Sequence, residues 1–303
     1  MSEVRLDPSF LSRVAALSMG PRTRARGRHV GAHDSPHEGS SVVFTEHREY
    51  RPGDDPRRID ARAWARTDRP TIKRFEHESD RRTLLLLDRS PSMDFRSRET
   101  LPTKLEFGRA LLAGIAFLAL RLGDRVTSAS YDEAAVTFAR ESRGARSLEA
   151  AVTPLFDDPV PGRKTDLARA ASGITRVEPS GLVVLVSDFI EDSPAKALSA
   201  LRPIALRQNE IHVVHVLDPA ETRLSLDVPA RIEGLEGEPP LDVTPDPALA
   251  EAYREAIDGL RVDVRRAAHA LGAAHHFFET SVDAVAAVAE IVGGTTGRRG
   301  EAS

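Results

Sequence analysis

Residues 84–93 of this 303-residue chain read LLLLDRSPSM. Four consecutive leucines predict a short strand that is buried on both faces, as the strands of a parallel sheet are. The strand ends in Asp88, and two hydroxyl side chains, Ser90 and Ser92, follow at alternate positions. Open α/β sheets bind their ligands at the carboxyl ends of the strands. One carboxylate and two hydroxyls at such an end therefore predict a site for a hard cation, Mg²⁺ or Mn²⁺.

Strands and helices alternate downstream of this first strand, which is predicted at 83–88. Further strands are predicted at about 125–131, 135–140 (short and antiparallel), 182–188 and 211–217. Helices are predicted at about 104–122, 146–155, 165–176 and 194–208. The first helix begins with a capping box, Thr103 to Glu106, and stops at Gly123. This order predicts an α/β fold with a doubly wound, mainly parallel sheet, flanked by helices and joined by right-handed crossovers.

The rest of the chain is divided around this α/β region. Residues 1–82 are predicted to hold a short helix at 7–18 and a β-containing segment with strands at 42–44 and 71–75. Residues 83–292 form the α/β domain, with an insertion at about 222–272 that combines a small β-excursion with a long helix from Asp246 to about Leu271. A last strand is predicted at 276–280, a last helix at 283–292 and a disordered tail at 293–303.

Composition narrows the classes of function. The absence of cysteine excludes disulfides, thiol nucleophiles and thiolate metal sites. The most apolar run, Ala110 to Leu120, spans 11 residues, whereas a membrane span needs about 20. The N-terminus lacks a signal-peptide pattern, so we expect a cytoplasmic protein. Residues 1–82 carry 17 Lys and Arg against 13 Asp and Glu. No pattern of stacking aromatics accompanies these basic residues, which favours a solvated surface over nucleic-acid binding.

Two later positions extend the predicted cation site. Thr165 follows the loop at 162–164 and precedes a helix, and Asp188 ends the second fully apolar strand, LVVLVSD at 182–188. Because the carboxyl ends of neighbouring parallel strands meet at one edge of a sheet, these oxygens are expected to converge. Two carboxylates and three hydroxyls leave a Mg²⁺ or Mn²⁺ ion with room for an outside ligand. The predicted metal ligands are Asp88, Ser90, Ser92, Thr165 and Asp188. Taken singly, Thr165 is typical of a helix N-cap.

The five positions resemble the metal-ion-dependent adhesion site of von Willebrand factor type A domains. The resemblance implies that Asp88, Ser90, Ser92 and Thr165 supply oxygens directly, while Asp188 acts through water. It also implies that an acidic residue of a partner protein fills the vacant position on the metal.

The upstream segment resembles a bacterial family catalogued as domain-of-unknown-function family 58. The matching motifs are GSSVVF at 39–44, REYRPGDD at 48–55, RID at 58–60, ART at 65–67 and KR at 73–74. One position departs from the family, which usually has tryptophan directly after Arg-Ile-Asp, whereas this chain has Ala61 there and Trp64 three positions on. The resemblance implies a type A domain downstream and a partnership with an AAA+ ATPase of the MoxR type in assembly or maturation of other proteins.

The leading interpretation is therefore a non-enzymatic, Mg²⁺-dependent protein–protein interaction module. An alternative is a Mg²⁺-dependent phosphohydrolase of the haloacid dehalogenase type, which also places an aspartate after a buried strand. That chemistry needs an acid/base aspartate two residues later, where this chain has Ser90. A second alternative is a nucleic-acid-binding protein that uses the basic residues 1–82.

The histidines of the fourth long strand do not suggest a second metal site. His212 and His215 lie three apart on that strand and are predicted to face opposite sides, so we do not expect them to share a metal.

Overall fold

The computed structural model describes residues 6–17, 42–49, 64, 69–77, 81–159, 165–174, 181–190, 193–207, 209–223, 228–235 and 239–293, with only the backbone described at 42–49 and 71–77. Several predictions lie outside these residues. They concern the loop at 162–164, the tail beyond Gly293, and most of the REYRPGDD, RID and ART motifs.

The described helices and strands follow one another along the chain in this order: α1 (Pro8–Ala15), β1 (Val42–Glu49), β2 (Thr71–His77), β3 (Arg82–Asp88), α2 (Lys104–Arg121), β4 (Arg125–Tyr131), β5 (Val136–Phe138), β6 (Ser142–Arg143), α3 (Leu148–Val152), α4 (Leu167–Ile174), β7 (Leu182–Ser187), α5 (Pro194–Ser199), α6 (Arg202–Ala205), β8 (Glu210–Leu217), α7 (Pro219–Thr222), β9 (Ala230–Ile232), β10 (Leu241–Val243), α8 (Pro247–Ala270), β11 (Ala274–Glu279) and α9 (Ala284–Gly293).

A seven-stranded sheet forms the centre, with strand order β11-β8-β7-β3-β4-β5 and β6 also paired with β4. The pairs β3–β4, β3–β7, β7–β8 and β8–β11 are parallel, and the two short strands run antiparallel to β4. This confirms the predicted α/β fold with a doubly wound, mainly parallel sheet. Leu87 of β3 pairs with Val186 of β7, so Asp88 and Ser187 end neighbouring strands side by side.

The leucine run is buried on both faces, as predicted. Leu85 and Leu87 belong to a core that includes residues of α1, α2 and α9, and Leu84 and Leu86 belong to a second core with residues of α4, α5 and α8. Alternate side chains of a strand point to opposite faces, so one strand contributes to both cores. Helices on both faces leave the carboxyl edge of the sheet as the place where loops from several strands meet.

Two predicted helices are shorter than expected, and proline explains both. The helix predicted at 194–208 is divided into α5 and α6, because Pro203 lacks the N–H that a continuous helix would need at that position. The helix predicted at 146–155 is α-helical only over Leu148–Val152, and the turn with Pro154 that follows is a 3₁₀ helix. The predicted capping box of α2 is present between Thr103 and Glu106.

The two smaller sheets are antiparallel pairs. β1 pairs with β2 over Val42–Glu49 and Thr71–His77, with an irregular register between Phe44 and Glu46. β9 pairs with β10, which confirms the small β-excursion predicted before the long helix. That helix, α8, contributes Val264 and Ala268 to the second core.

Candidate metal centre

The five residues predicted to bind a cation lie at the carboxyl edge of the central sheet. Asp88 is the last residue of β3, and Ser90 and Ser92 lie in the turn that leads into a short 3₁₀ helix, Pro91–Asp94. Thr165 precedes α4 by two residues, and Asp188 directly follows β7. The cap of α4 is Asp166 rather than Thr165, because the Asp166 carboxylate accepts a hydrogen bond from the Arg169 amide. The Thr165 side chain is therefore free to face Asp88.

Asp88 is the centre of this group and is fully buried. Its Oδ1 accepts the Ser90 amide at 2.9 Å, and its Oδ2 accepts the Ser187 hydroxyl at 2.7 Å. Thr165 Oγ1 lies 3.1 and 3.0 Å from the two oxygens. All of these donors are neutral. Burial, together with the nearby charge of Asp188, raises the pKa of Asp88 to about 7, which is the expected response of a desolvated carboxylate with no cation beside it.

The remaining predicted residues complete one connected network. Ser90 Oγ lies 2.9 Å from Ser92 Oγ, and the nearby Ser92 side chain helps the Lys104 ammonium to lower the pKa of Asp188. Asp188 is also fully buried. The structure thus brings all five predicted residues together, although they come from three separate segments of the chain.

Lys104 is the residue that sequence reasoning missed. Its side chain is fully buried, and its Nζ lies 2.7 Å from Asp188 Oδ2 and 2.6 Å from Glu221 Oε1. Burial alone would raise the pKa of Asp188, but the Lys104 ammonium holds it below its usual value. Burial likewise opposes the charged lysine, and the two carboxylates outweigh it and raise the Lys104 pKa. The pKa of Asp88 is therefore raised, whereas the pKa of Asp188 is lowered.

The position of Lys104 on α2 is a sequence signal that could have identified it. It is the first residue of that helix, where a positive charge opposes the helix dipole and a lysine is unfavourable. Of this capping box, only Thr103 and Glu106 were used as sequence signals, and Lys104 was given no role. Ser187 was likewise counted only as part of the apolar strand at 182–188, and Glu221 was given no role.

The loop after β7 has a strained backbone next to the site. Phe189 has a φ of +52° and is fully buried, and a bulky residue seldom adopts this left-handed conformation. The bend lets the Phe189 amide donate to Ser187 Oγ at 2.9 Å and the Ile190 amide donate to Asp188 Oδ1 at 3.2 Å. Ile190 itself is exposed, two residues after the buried Asp188.

The donor set suits a hard divalent cation. It consists of two carboxylates and three hydroxyls, which Mg²⁺ and Mn²⁺ prefer over softer ligands. Among the residues that the structure describes, Asp88 has only neutral hydrogen-bond donors, so a cation would supply the charge that its burial lacks. Asp88, Ser90, Ser92 and Thr165 could supply oxygens to such a cation. The described part of the chain contains no cluster of three or more His, Cys, Asp or Glu side chains with metal-binding geometry.

The chain was compared with known proteins and solved structures. It is 28% identical to the uncharacterized protein Rv1480 of Mycobacterium tuberculosis (strain ATCC 25618 / H37Rv) over 289 residues, which cover 94% of this chain and 90% of that protein. BatB of Bacteroides thetaiotaomicron, a conserved hypothetical protein, covers 71% of this chain and 98% of its own, with 12% identity and a TM-score of 0.48. The SpRpn10 VWA domain covers 70% and 95%, with 11% identity and a TM-score of 0.40.

Of the helices within the described residues, none has both the length and the apolar composition required to cross a bilayer. The family resemblance that the sequence motifs carried is confirmed by a match over residues 46–263 to the family described as "Protein of unknown function DUF58". The matched range includes the second half of β1, the whole of β2 and most of the central sheet. This chain belongs to the DUF58 family.

Proposed function

We propose that this chain is a non-enzymatic protein–protein interaction module that works through a Mg²⁺ or Mn²⁺ ion. The observation that carries the proposal is Asp88: a fully buried carboxylate, surrounded by hydroxyls and a backbone amide, with no positive charge among its described hydrogen-bond partners. Burying an ionised carboxylate without a positive partner costs roughly several kcal/mol. A protein keeps such a group when the cation is part of its function.

The residues at the carboxyl edge of the central sheet would have different roles in binding the cation. Asp88, Ser90, Ser92 and Thr165 would hold the cation, and the hydroxyls of Ser187 and Thr165 already orient the Asp88 carboxylate. Asp188, bound by Lys104, would act through water. When bound, the cation supplies a Lewis-acidic position for an oxygen from outside the chain. With so few charged ligands in the shell, a carboxylate of a partner protein is the natural occupant.

The partner that we propose is an AAA+ ATPase of the MoxR type, with the module acting as its adaptor in assembly or maturation of other proteins. This part of the proposal rests on the DUF58 resemblance of the upstream segment. The exposed Ile190 beside the site supports a protein surface rather than a small molecule as the ligand, since exposed apolar side chains near a polar centre are typical of protein interfaces.

Binding is favoured over phosphoryl transfer by the neighbours of Asp88. A nucleophilic aspartate needs a proton donor for the leaving group, and an acid with a tuned pKa usually supplies it. The described neighbours of Asp88 are hydroxyls and an amide, and Asp188 is bound to Lys104. None of these groups is a suitable general acid near neutral pH.

The test is a pull-down from native lysate with three tagged proteins: wild type, Asp88→Asn and the control Asp166→Asn. Asp166 is adjacent to Thr165 but caps α4 instead of contacting Asp88, and asparagine can retain that cap. Each protein is used in Mg²⁺ and in EDTA, and captured proteins are identified by mass spectrometry. We expect an AAA+ ATPase with wild type and Asp166→Asn in Mg²⁺ only. Equal capture in EDTA, or by Asp88→Asn, would overturn the proposal.

A further inference from the structure

Lys104 provides the site with a positive charge of its own. The ammonium and the Asp188 carboxylate are both fully buried and lie 2.7 Å apart, and a charge-assisted hydrogen bond of this kind is strong and directional. Asp88, at the end of the neighbouring strand, has no such partner among the described residues. The two carboxylates of the predicted metal shell are therefore unequal: one is already neutralised and the other is not.

The lysine is fixed from two sides. Glu221 accepts from Lys104 at 2.6 Å and is itself held by the capping box of α7, in which its second oxygen accepts the Asp218 amide at 2.8 Å. The Tyr253 hydroxyl of α8 donates to the Glu221 carbonyl at 2.9 Å. Because Lys104 is anchored to both α7 and the start of α2, it cannot follow Asp188 toward a cation without breaking buried hydrogen bonds.

We propose, on the basis of the function proposed above, that Lys104 is a positioning residue that keeps Asp188 out of direct coordination and thereby makes the site bind a bare divalent cation weakly. The ammonium occupies Asp188 Oδ2 and repels a second cation nearby. A partner carboxylate then supplies the negative charge that Asp188 withholds. Metal and partner consequently bind together, and each raises the affinity of the other by the same factor.

The formal charges of the cluster allow a matched test. Asp88, Asp188 and Glu221 with one ammonium carry a formal charge of −2. The double variant Lys104→Met/Glu221→Gln removes one positive and one negative charge and leaves −2, so its net charge matches the wild type while Asp188 is released. The single variant Glu221→Gln keeps Asp188 bound, since without the Glu221 carboxylate the Lys104 ammonium interacts with Asp188 alone.

The experiment is a calorimetric titration of each protein with Mn²⁺ alone, after far-UV circular dichroism has established that the variants are folded. We expect the double variant to bind Mn²⁺ at least about tenfold more tightly than the wild type, which corresponds to about 1.4 kcal/mol. We expect Glu221→Gln to bind about threefold or more weakly. If that double variant does not fold, Lys104→Gln/Glu221→Gln, which has the same net charge, replaces it: tighter binding than wild type supports the proposal, and equal or weaker binding overturns it.

The outcomes separate this proposal from the function on which it rests. If wild type and double variant bind Mn²⁺ equally, or the double variant binds more weakly, Lys104 is not a competitor and only the present proposal is overturned. If no protein binds Mn²⁺ at millimolar concentration, both this proposal and the metal-dependent function are overturned. Binding by the double variant alone supports the role of Lys104 most strongly, since it shows that release of Asp188 is sufficient to load the site.

Discussion

Replacing Asp88 with asparagine should stabilise the metal-free protein, although it removes the residue at the centre of the site. Asparagine has the size of a protonated aspartic acid, and its amide can donate to the Thr165 and Ser187 hydroxyls, which also accept. The variant therefore keeps the hydrogen bonds of the buried group and loses only its charge. A gain in stability together with a loss of cation binding is the pattern expected of a functional residue.

The magnitude follows from the pKa of Asp88. It is about 7 in the folded protein and 3.8 for an ordinary aspartate. A carboxyl whose folded pKa is raised contributes stability that is present below the unfolded pKa and is lost as the pH rises through the folded pKa. The lost stability reaches about 4 kcal/mol at pH 8, at about 1.4 kcal/mol for each pKa unit. We expect the advantage of Asp88→Asn over the wild type to grow by this amount between pH 4 and pH 8.

The measurement is urea denaturation of wild type, Asp88→Asn and the Asp166→Asn control in EDTA at both pH values. Comparing variants removes the titration of other groups, which all three proteins share. Addition of Mg²⁺ at pH 8 should stabilise the wild type and the control but not Asp88→Asn, by about 2.7 kcal/mol at a concentration 100 times the dissociation constant. If the stability difference between Asp88→Asn and wild type is the same at pH 4 and pH 8 in EDTA, Asp88 has a charged partner and the reasoning fails.

Three further substitutions test the surroundings of the site. Burial lowers the pKa of His215 to about 3, so its protonation favours the unfolded chain as the pH falls below 6.5. In denaturation experiments between pH 7 and pH 4, the wild type should therefore lose about 3 kcal/mol more stability than His215→Leu. Ser187→Ala should cost about 2 to 4 kcal/mol in urea, since it removes one hydrogen bond from the buried Asp88 carboxylate and leaves the Phe189 amide without its partner. Gly108→Ala should lower the melting temperature at a cost of about 1 to 2 kcal/mol, because its Cβ would lie 2.8 Å from Leu87 Cδ1. The packing described would be contradicted if His215→Leu had the same pH dependence of stability as wild type, or if Ser187→Ala or Gly108→Ala were as stable as wild type or more so.

The central sheet was predictable because its strands are short apolar runs with clear limits. Leu84 to Leu87 and Leu182 to Val186 can be accommodated only between two layers of helices, and such strands place whatever follows them at the carboxyl edge. Thr103, Glu106 and Gly123 marked the ends of α2 by local hydrogen-bonding rules, which need no tertiary information. These features are encoded within a few residues of one another.

Lys104 and Glu221 were not predictable in the same way, because their meaning depends on contacts between distant segments. They are 117 residues apart, and Lys104 is 84 residues from Asp188. Periodicity assigns a lysine to a solvent-facing position, and only the fold shows that its ammonium lies between two buried carboxylates. The unfavourable position of Lys104 at the start of a helix was the one local signal, and a tertiary ion pair is the reason that the position is tolerated.

The environment of the two aspartates, more than the short motif that contains them, decides which function the site supports. Asp88 and Asp188 are both fully buried, and each follows an apolar strand, so the sequence presents them as equivalent. Lys104 removes that equivalence by neutralising Asp188. A phosphohydrolase would need the second acid to be free to exchange a proton, whereas a cation seat needs one uncompensated carboxylate and a second group that can act through water. The arrangement found here agrees with the second requirement and therefore supports the proposal that this edge binds a partner rather than catalyses a reaction.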